Sequence, residues 1–436
     1  MKFSQYNYLF KSDKFGFLLY NSETNSFAEL QEELYETLQK IQSGQLTADT
    51  LPADILSQLE KAKVFTNNDD SFYLQKKFYF YRRVYNTSRL GFALAPTTFC
   101  NFNCPYCYEE NRLPVFMTEE TENHFMEFIK KYKNIEAVDI IWYGGEPLAN
   151  FKSIKNILRK ISQDSTIKLG EHGIVTNGFL LDEEKSKFFQ EYPLNFIQIT
   201  IDGLKNSHDQ RRILKDGTPT YDKILHNIDT FFEYNKQTRV SIRVNIDAAN
   251  SDDFVLLYNE LTERWKGKNI DVHPAFVGAY TKSCSEQCSV LHQDERIAFY
   301  MNLYEKHGLN VRFYPDFQIG GCCATNINYY VVGPRGELYK CWNDIGIETR
   351  IVGYLDKDDI PNKNLLTQYL VGPSMFDDEE CKKCVLFPVC GGGCQWLRLK
   401  NTYEEEKFSL CSHRKNHLDK FLEMHYVVRK EEKNKK

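Results

Sequence analysis

The sequence predicts an α/β fold: an open, partial barrel of six strand–helix units, preceded by a small strand-and-helix domain and followed by a cysteine-rich domain. Three observations carry this. From Leu90 onward, apolar strand runs alternate with amphipathic helical segments. Six such units in order imply a parallel sheet, and six are too few to close an eight-stranded barrel. Beyond about Val311 the periodic pattern fades while Gly, Pro and Cys become frequent, as in segments organised by metal instead of a packed core. The expected domains are residues 1–86, 87–310 and 311–436.

In the first domain, Tyr6–Phe10, Phe15–Tyr20 and Ser26–Leu30 read as short strands, with Asn21-Ser22-Glu23-Thr24-Asn25 as a turn between two of them. Leu30, Leu34, Leu38 and Ile41 share one helical face, which Gly44 ends; a second helix carries Ile55, Leu59 and Ala62. Asn67-Asn68-Asp69-Asp70 is a turn flanked by Val64-Phe65 and Phe72-Tyr73-Leu74. Strands and short helices on this scale resemble a winged helix-turn-helix; the bland alternative is a decoration without partners. The barrel strands are expected at Gly91–Ala95, Ala137–Tyr143, His172–Thr176, Phe196–Asp202, Val240–Asp247 and Ile270–Val277. Its helices are expected at Thr118–Tyr132, Ser153–Ser162, Glu183–Glu191, Tyr221–Tyr234, Asp252–Trp265 and Asp294–Lys306. Functional groups should sit at the C-terminal ends of the strands. The charged run Lys430 to Lys436 is expected to fray.

Composition narrows the function classes. The chain has 436 residues, 42% hydrophobic and 26% charged, with a net charge of -5. That balance fits a soluble globular protein, and no large basic field points to nucleic acid. No run approaches the roughly 18 apolar residues of a membrane span, and the first twenty residues lack the apolar core of a signal peptide. The expectation is a cytoplasmic protein with no membrane and no nucleic-acid partner. Thirteen cysteines are many for such a chain. None precedes Cys100, three fall within Cys100–Cys107, nine lie between Cys284 and Cys394, and the last is Cys411. Disulfide frameworks are rarely confined to two sections of a long chain; short-spaced cysteines in a reducing compartment point to metal ligation.

The first group, Cys100, Cys104 and Cys107, reads C-x3-C-x2-C directly after the first barrel strand. Three thiolates on one short loop can hold three irons of a cubane cluster, leaving the fourth iron open to another ligand. A zinc site would want a fourth Cys or His nearby, and this loop has none. Gly144-Gly145-Glu146-Pro147 ends the second strand, Thr200-Ile201-Asp202-Gly203 ends the fourth, and His208-Asp209 with Arg211-Arg212 follow. Singly, each has an ordinary explanation: a tight turn, a strand hydroxyl, a solvated charge. Together and in this order they resemble the radical S-adenosylmethionine (SAM) superfamily. The resemblance implies a partial (β/α)6, TIM-like barrel and a [4Fe–4S] cluster on Cys100, Cys104 and Cys107. It also implies SAM contacts from Tyr106 (adenine), Gly144, Gly145, Glu146 and Pro147 (amino group), Thr200 (ribose) and Arg212 (carboxylate). The implied chemistry is reductive cleavage of SAM to a 5′-deoxyadenosyl radical that abstracts a hydrogen from an unactivated C–H bond.

The second group, Cys381-x2-Cys384-x5-Cys390-x3-Cys394 and then Cys411, is preceded by Gly336-x4-Cys341 and by the pair Cys322-Cys323. From Cys322 to Cys411 the pattern resembles the SPASM domain, which holds two auxiliary [4Fe–4S] clusters. The resemblance implies three [4Fe–4S] clusters in all. Cys381, Cys384, Cys390 and Cys411 would hold the outer auxiliary cluster; Cys341, Cys394 and one of Cys322 or Cys323 would hold the inner one. Adjacent residues of an extended chain point oppositely, so Cys322 and Cys323 are not expected to share one cluster. Cys284 and Cys288 stand as alternative ligands, substrate-handling thiols or small buried residues.

SPASM relatives mostly modify peptides and proteins, so the resemblance implies an oxidoreductase with a peptide or protein substrate. The first reading is a maturase of ribosomally made peptides that installs a thioether or related crosslink. Its N-terminal domain would bind the precursor's leader, and a flavodoxin or ferredoxin would supply electrons. The alternative is an anaerobic sulfatase-maturating, formylglycine-forming enzyme. The N-terminal domain favours the first. Sulfatase-maturating relatives also place an Asp directly after the Cys matching Cys341, where this chain has Trp342, with Asp344 two residues further on. A non-enzyme alternative, an iron–sulfur electron carrier or regulator, would not need the SAM-contact motifs.

Overall fold

The computed structural model describes residues 1–107, 109, 113–278, 284, 288–309, 322–411 and 413–434, which form a mixed α/β fold with a mainly parallel central sheet. Contacts divide the chain into two units. One gathers Met1–Tyr85, Gly308–Asn326 and Gln368–Lys436; the other gathers Asn86–His307 and Ile327–Thr367.

The first unit begins with β1 (Lys2–Phe3), then an antiparallel meander of β2 (Asn7–Ser12), β3 (Gly16–Asn21) and β4 (Ser26–Leu30). Helices α1 (Glu32–Gln42) and α2 (Ala53–Lys61) follow, then β5 (Phe65–Thr66), which pairs with β1. Leu19, Leu38, Ile41, Leu59, Val64 and Phe65 close a core between these pieces. Phe72-Tyr73-Leu74, expected only as the far flank of a turn, lie inside α3 (Asp70–Val84). The Asn68 side chain accepts the Asp70 N–H at 2.8 Å, satisfying one amide at the helix start. Lys76, Phe80 and Val84, spaced four apart, bury one face of that helix.

The second unit is built on a nine-stranded sheet, not six. Six parallel strands run in sequence order: β6 (Arg89–Leu94), β7 (Ala137–Trp142), β8 (Leu169–Thr176), β9 (Phe196–Thr200), β10 (Arg239–Ile246) and β11 (Ile270–Phe276). Helices α4 (Glu119–Lys130), α5 (Phe151–Gln163), α6 (Glu183–Glu191), α7 (Lys205–Arg211), α8 (Tyr221–Tyr234) and α9 (Asp253–Arg264) connect them, and α10 (Gln293–His307) follows β11. All but the short α7 match the expected helices within a few residues. The additional strands come from the segment expected to lack periodicity: β12 (Tyr329–Val332), β13 (Glu337–Tyr339) and β14 (Gly353–Tyr354). β12 pairs in parallel with β6, Tyr329 opposite Gly91 and Val332 opposite Leu94. Strands of two to four residues are too short to show a period in sequence. Ala93, Ala95, Val331, Tyr339, Ile345 and Ile351 pack together behind this edge.

After α11 (Lys363–Val371) the chain returns to the first unit with α12 (Glu379–Lys382), α13 (Gln395–Tyr403) and α14 (Leu418–Asn434). Here the two ends of the chain share cores. Phe10, Leu18 and Tyr20 pack with Leu386, Val389, Leu418 and Leu422; Tyr6, Phe80 and Val84 pack with Met375, Phe376 and Phe387. The run expected to fray from Lys430 continues the helix to Asn434. Among the described residues no helix is long and apolar enough to cross a membrane.

Candidate functional site

The loop after β6 carries the first three cysteines and is fastened on both sides. Thr97 and Thr98 donate their hydroxyls to the carbonyls of Val115 and Leu113, each at 2.6 Å. On the other side Asn103 N–H donates to Ile213 O and Lys215 N–H to Asn101 O. Cys104 and Cys107 lie close enough to Cys100 to raise its thiol pKa. Burial, reinforced by the Glu146 carboxylate, pushes the Cys100 thiol up to about 12; burial also raises Cys104, against the pull of Arg212. Such thiols stay protonated unless a metal takes the proton's place.

The end of β7 is pressed onto this loop. Gly144 has φ +109°, and a Cβ there would meet Thr97 O at 2.5 Å, so only glycine fits. Glu146 N–H donates to Phe99 O at 2.7 Å. The buried Glu146 carboxylate accepts from Thr176 Oγ1 (2.7 Å), Asn177 N–H (2.7 Å) and Leu148 N–H (3.0 Å). Burial raises its pKa while these donors oppose it. Pro147 opens the short helical turn that follows, at the position where a missing N–H costs nothing.

Thr200 is buried at the C-terminal end of β9. Beyond it, Tyr106 donates to the fully buried Asp202 and receives Arg212 Nη1 at 2.6 Å. Arg211 donates to Asp247 at 2.7 Å and lies over the Tyr106 ring. Burial raises both Tyr106 and Asp202, in each case against nearby guanidinium charge. Arg212 Nε and Arg211 Nε and Nη2 are buried with no hydrogen-bond partner among the described residues. Unsatisfied guanidinium N–H groups beside three clustered thiols suit a carboxylate ligand and an iron–sulfur cluster. The residues present therefore fit both groups. Every residue proposed from sequence for this site lies at a strand's C-terminal end or on the loop or short helix after it. Sequence reasoning missed Thr176, Asn177 and Asp247; the Thr176-Asn177-Gly178 turn at the end of β8 was the available signal.

The second cysteine group divides between the units. Cys341 is in the unit that carries the sheet, and Cys322, Cys323, Cys381, Cys384, Cys390, Cys394 and Cys411 are in the other. Cys384 feels Cys390 and Cys411, and Lys415 feels Cys411, Cys384 and Cys381, so these four thiols share one neighbourhood. Gly393 permits this, since a Cβ there would strike Leu410 O at 2.6 Å, next to Cys411. Burial and Asp378 push Cys381 up to about 11. Arg398 approaches the Cys381 sulfur at 3.8 Å and donates to Asp378 and Gly392 O. Among the described residues no three Cys, His, Asp or Glu side chains converge on a single metal ion; the corners of a cubane are separate irons, each with one thiolate. Cys322 and Cys323 differ from expectation. Their sulfurs are 3.9 Å apart, because Cys323 opens a 3-10 turn and the chain is not extended through the pair. Buried Cys284 accepts the Cys288 N–H through its carbonyl at 2.9 Å. Asp344 is fully buried near Arg350, and Trp342 packs on Tyr143 with ring centroids 4.2 Å apart.

Comparison with known proteins places this geometry. Residues 94–261 match the Radical SAM superfamily. The radical SAM cyclopropyl synthase TigE of Paramaledivibacter caminithermalis is 24% identical across 90% of this chain and 89% of its own length. A cysteine-type anaerobic sulfatase-maturating enzyme of Clostridium novyi is 22% identical over 68% of this chain and 85% of its own. In fold, the chain resembles anSMEcpe with bound AdoMet (TM-score 0.61, 19% identity, 78% of this chain and 94% of that one). It also resembles Streptococcus suis SuiB bound to precursor peptide SuiA (TM-score 0.53, 16% identity, 94% and 98%). The thiol loop, the buried Glu146 cradle and the unsatisfied arginines thus all sit within residues 94–261, the segment that matches the Radical SAM superfamily.

Proposed function

We propose that the chain is a peptide maturase, an oxidoreductase that installs a thioether or related crosslink in a ribosomally made precursor. The observation that carries this is coverage. The likenesses to TigE and SuiB span 90% and 94% of the chain, whereas those to the sulfatase-maturating proteins span 68% and 78%. Residues 1–86 act in this reading as a winged-helix-like leader-binding domain, 87–310 as a partial (β/α)6 barrel and 311–436 as a SPASM domain. Held by Cys100, Cys104 and Cys107 and by the contacts of Tyr106, Glu146, Thr200 and Arg212, the cluster and SAM would together supply the radical that abstracts a substrate hydrogen. The chain's own tasks are positioning and exclusion of water. Glu146, itself fixed by Thr176 and Asn177, would receive the SAM amino group, with Gly144, Gly145 and Pro147 shaping the turn. Arg212, steadied by Tyr106, would take the carboxylate. The outer auxiliary cluster is assigned to Cys381, Cys384, Cys390 and Cys411. The inner cluster's set, Cys341, Cys394 and one of Cys322 or Cys323, is carried over from the SPASM resemblance. A cytoplasmic flavodoxin or ferredoxin would be the electron donor.

The test is mass spectrometry of short peptides encoded beside the gene, incubated anaerobically with enzyme, SAM and dithionite. Crosslinking removes two hydrogens and leaves no carbonyl. The second reading, formylglycine formation, is favoured by the likeness in fold to anSMEcpe. It would give an aldehyde that reacts with a hydrazide probe. Reaction with the probe, or no change in mass while deoxyadenosine forms, would overturn the crosslinking reading.

A further inference from the structure

A leader-binding role does not explain the placement of Lys76. It sits on α3, and its side chain is buried at 4% exposure. Its ammonium donates to three main-chain carbonyls of one turn: Phe387, Pro388 at 2.8 Å and Cys390 at 2.9 Å. It also lies over the Phe387 ring, 5.0 Å from the centroid. An ammonium has three N–H donors, and three carbonyls use all of them; a neutral amine would set its lone pair against a carbonyl oxygen. The turn so gripped joins Cys384 to Cys390, two of the four thiols assigned to the outer auxiliary cluster. Arg398 approaches the Cys381 sulfur at 3.8 Å and Lys415 the Cys411 sulfur at 4.0 Å. Those two lie near the cysteines in sequence, whereas Lys76 is brought from the opposite end of the chain.

We propose that Lys76 is a positioning residue of the outer auxiliary cluster. It fixes the Cys384–Cys390 turn through three carbonyls, and its buried charge raises the cluster's reduction potential. This rests on the assignment of Cys381, Cys384, Cys390 and Cys411 to a [4Fe–4S] cluster. The physical argument is direct. Reduction adds a negative charge to a cluster already held by four thiolates, and a fixed cation in a low-dielectric setting favours that addition. The exposed alternative, a lysine on a solvated helix face, would have no such effect.

The experiment uses the full-length protein with Cys100, Cys104 and Cys107 replaced by Ala, so that only auxiliary clusters remain. Iron and sulfide are counted, and the clusters are titrated potentiometrically by electron paramagnetic resonance. The variants are Lys76→Gln, which can still donate to carbonyls without charge, Lys76→Met, Lys76→Arg, and the neighbouring control Lys77→Gln, a half-buried lysine over the Tyr73 ring. Lys76→Gln should keep its iron and make one-electron reduction of one cluster at least tenfold less favourable, about 59 mV more negative. Lys76→Arg and Lys77→Gln should leave both potentials in place. Loss of about four irons in Lys76→Met and Lys76→Gln but not in Lys76→Arg also supports the proposal. Full iron with unchanged potentials in Lys76→Gln overturns it, as does equal loss in Lys76→Arg. Failure of the cluster assignment itself is separate: the parent protein with Lys76 intact would then hold no auxiliary iron.

Discussion

Replacing Gly145 with Ala tests the coupling between β7 and the cysteine loop. The added Cβ would lie 2.3 Å from Phe99 O, 2.6 Å from Phe99 C and 2.7 Å from Thr98 O. All three are main-chain atoms just before Cys100, so no rotamer change relieves the contact. Ordinary contact begins near 3.4 Å, so the loop must withdraw by about 1 Å. Overpacking of this kind costs about 1–3 kcal/mol. Withdrawal also strains the buried bond from Glu146 N–H to Phe99 O, worth about 1–3 kcal/mol when left unsatisfied. The sum, about 2–6 kcal/mol, is a large part of a typical stability of about 5–15 kcal/mol, so the chain should fold but melt about 4–24 °C lower. A shift of about 1 Å at a reacting centre can cost roughly a hundredfold in rate. Anaerobic thermal melts by circular dichroism should show the first effect and deoxyadenosine formation the second. A Gly145→Ala protein with wild-type melting and wild-type deoxyadenosine formation would refute the reasoning.

Three further outcomes are expected. Replacing Cys100, Cys104 and Cys107 by Ala should abolish deoxyadenosine and lower iron from about 12 to about 8 per chain, whereas Cys381→Ala or Cys390→Ala should leave some cleavage but little modified peptide; residual deoxyadenosine in the triple variant would place the SAM cluster elsewhere. His172 accepts Trp142 Nε1–H at 2.7 Å, and burial holds its pKa down to about 4 from 6.5. The unfolded imidazole therefore takes up a proton first, so its contribution is complete above pH ~6.5 and declines as pH falls toward ~4, by at most about 3 kcal/mol. Anaerobic urea unfolding at several pH values should show a shallower acid decline for His172→Gln, and parallel declines would discount this histidine. Deleting Met1–Tyr85 should reduce auxiliary iron as well as peptide affinity, because Phe10, Leu18, Tyr20, Phe80 and Val84 leave cores they share with the C-terminal segment; full iron with lost affinity would show the N-terminal segment to be separable.

The elements most legible in sequence were those whose period outlasts their ends. α6 and α8 appear at the residues expected, running nine and fourteen residues with their buried positions at helical spacing. The cysteine loop and the Gly144–Pro147 turn were legible because their chemistry restricts residue type at each position. β12 to β14 were not, being too short to show alternation. Nor was Lys76: within Gln75-Lys76-Lys77 it reads as a solvated charge, and only partners more than three hundred positions away make it buried. The close approach of the Cys322 and Cys323 sulfurs was not legible either, because it comes from a single 3-10 turn that opens at Cys323.

The pairing of β12 with β6 has a consequence for how the protein is made. Gly91 has no Cβ, which would meet the Tyr329 ring at 2.6 Å, so this edge of β6 is shaped for one late-arriving partner. During synthesis, at about 5–20 residues per second, β6 waits on the order of ten to fifty seconds after its own emergence before Tyr329–Val332 leave the ribosome. Through that interval the strand leading to Cys100 carries an open edge, a template for wrong pairing. Of the strand pairings among the described residues this one spans the widest sequence separation, and such pairings form slowly. Cells that make this enzyme would therefore gain from loading iron only after translation has passed Val332, when the loop's strand has both neighbours.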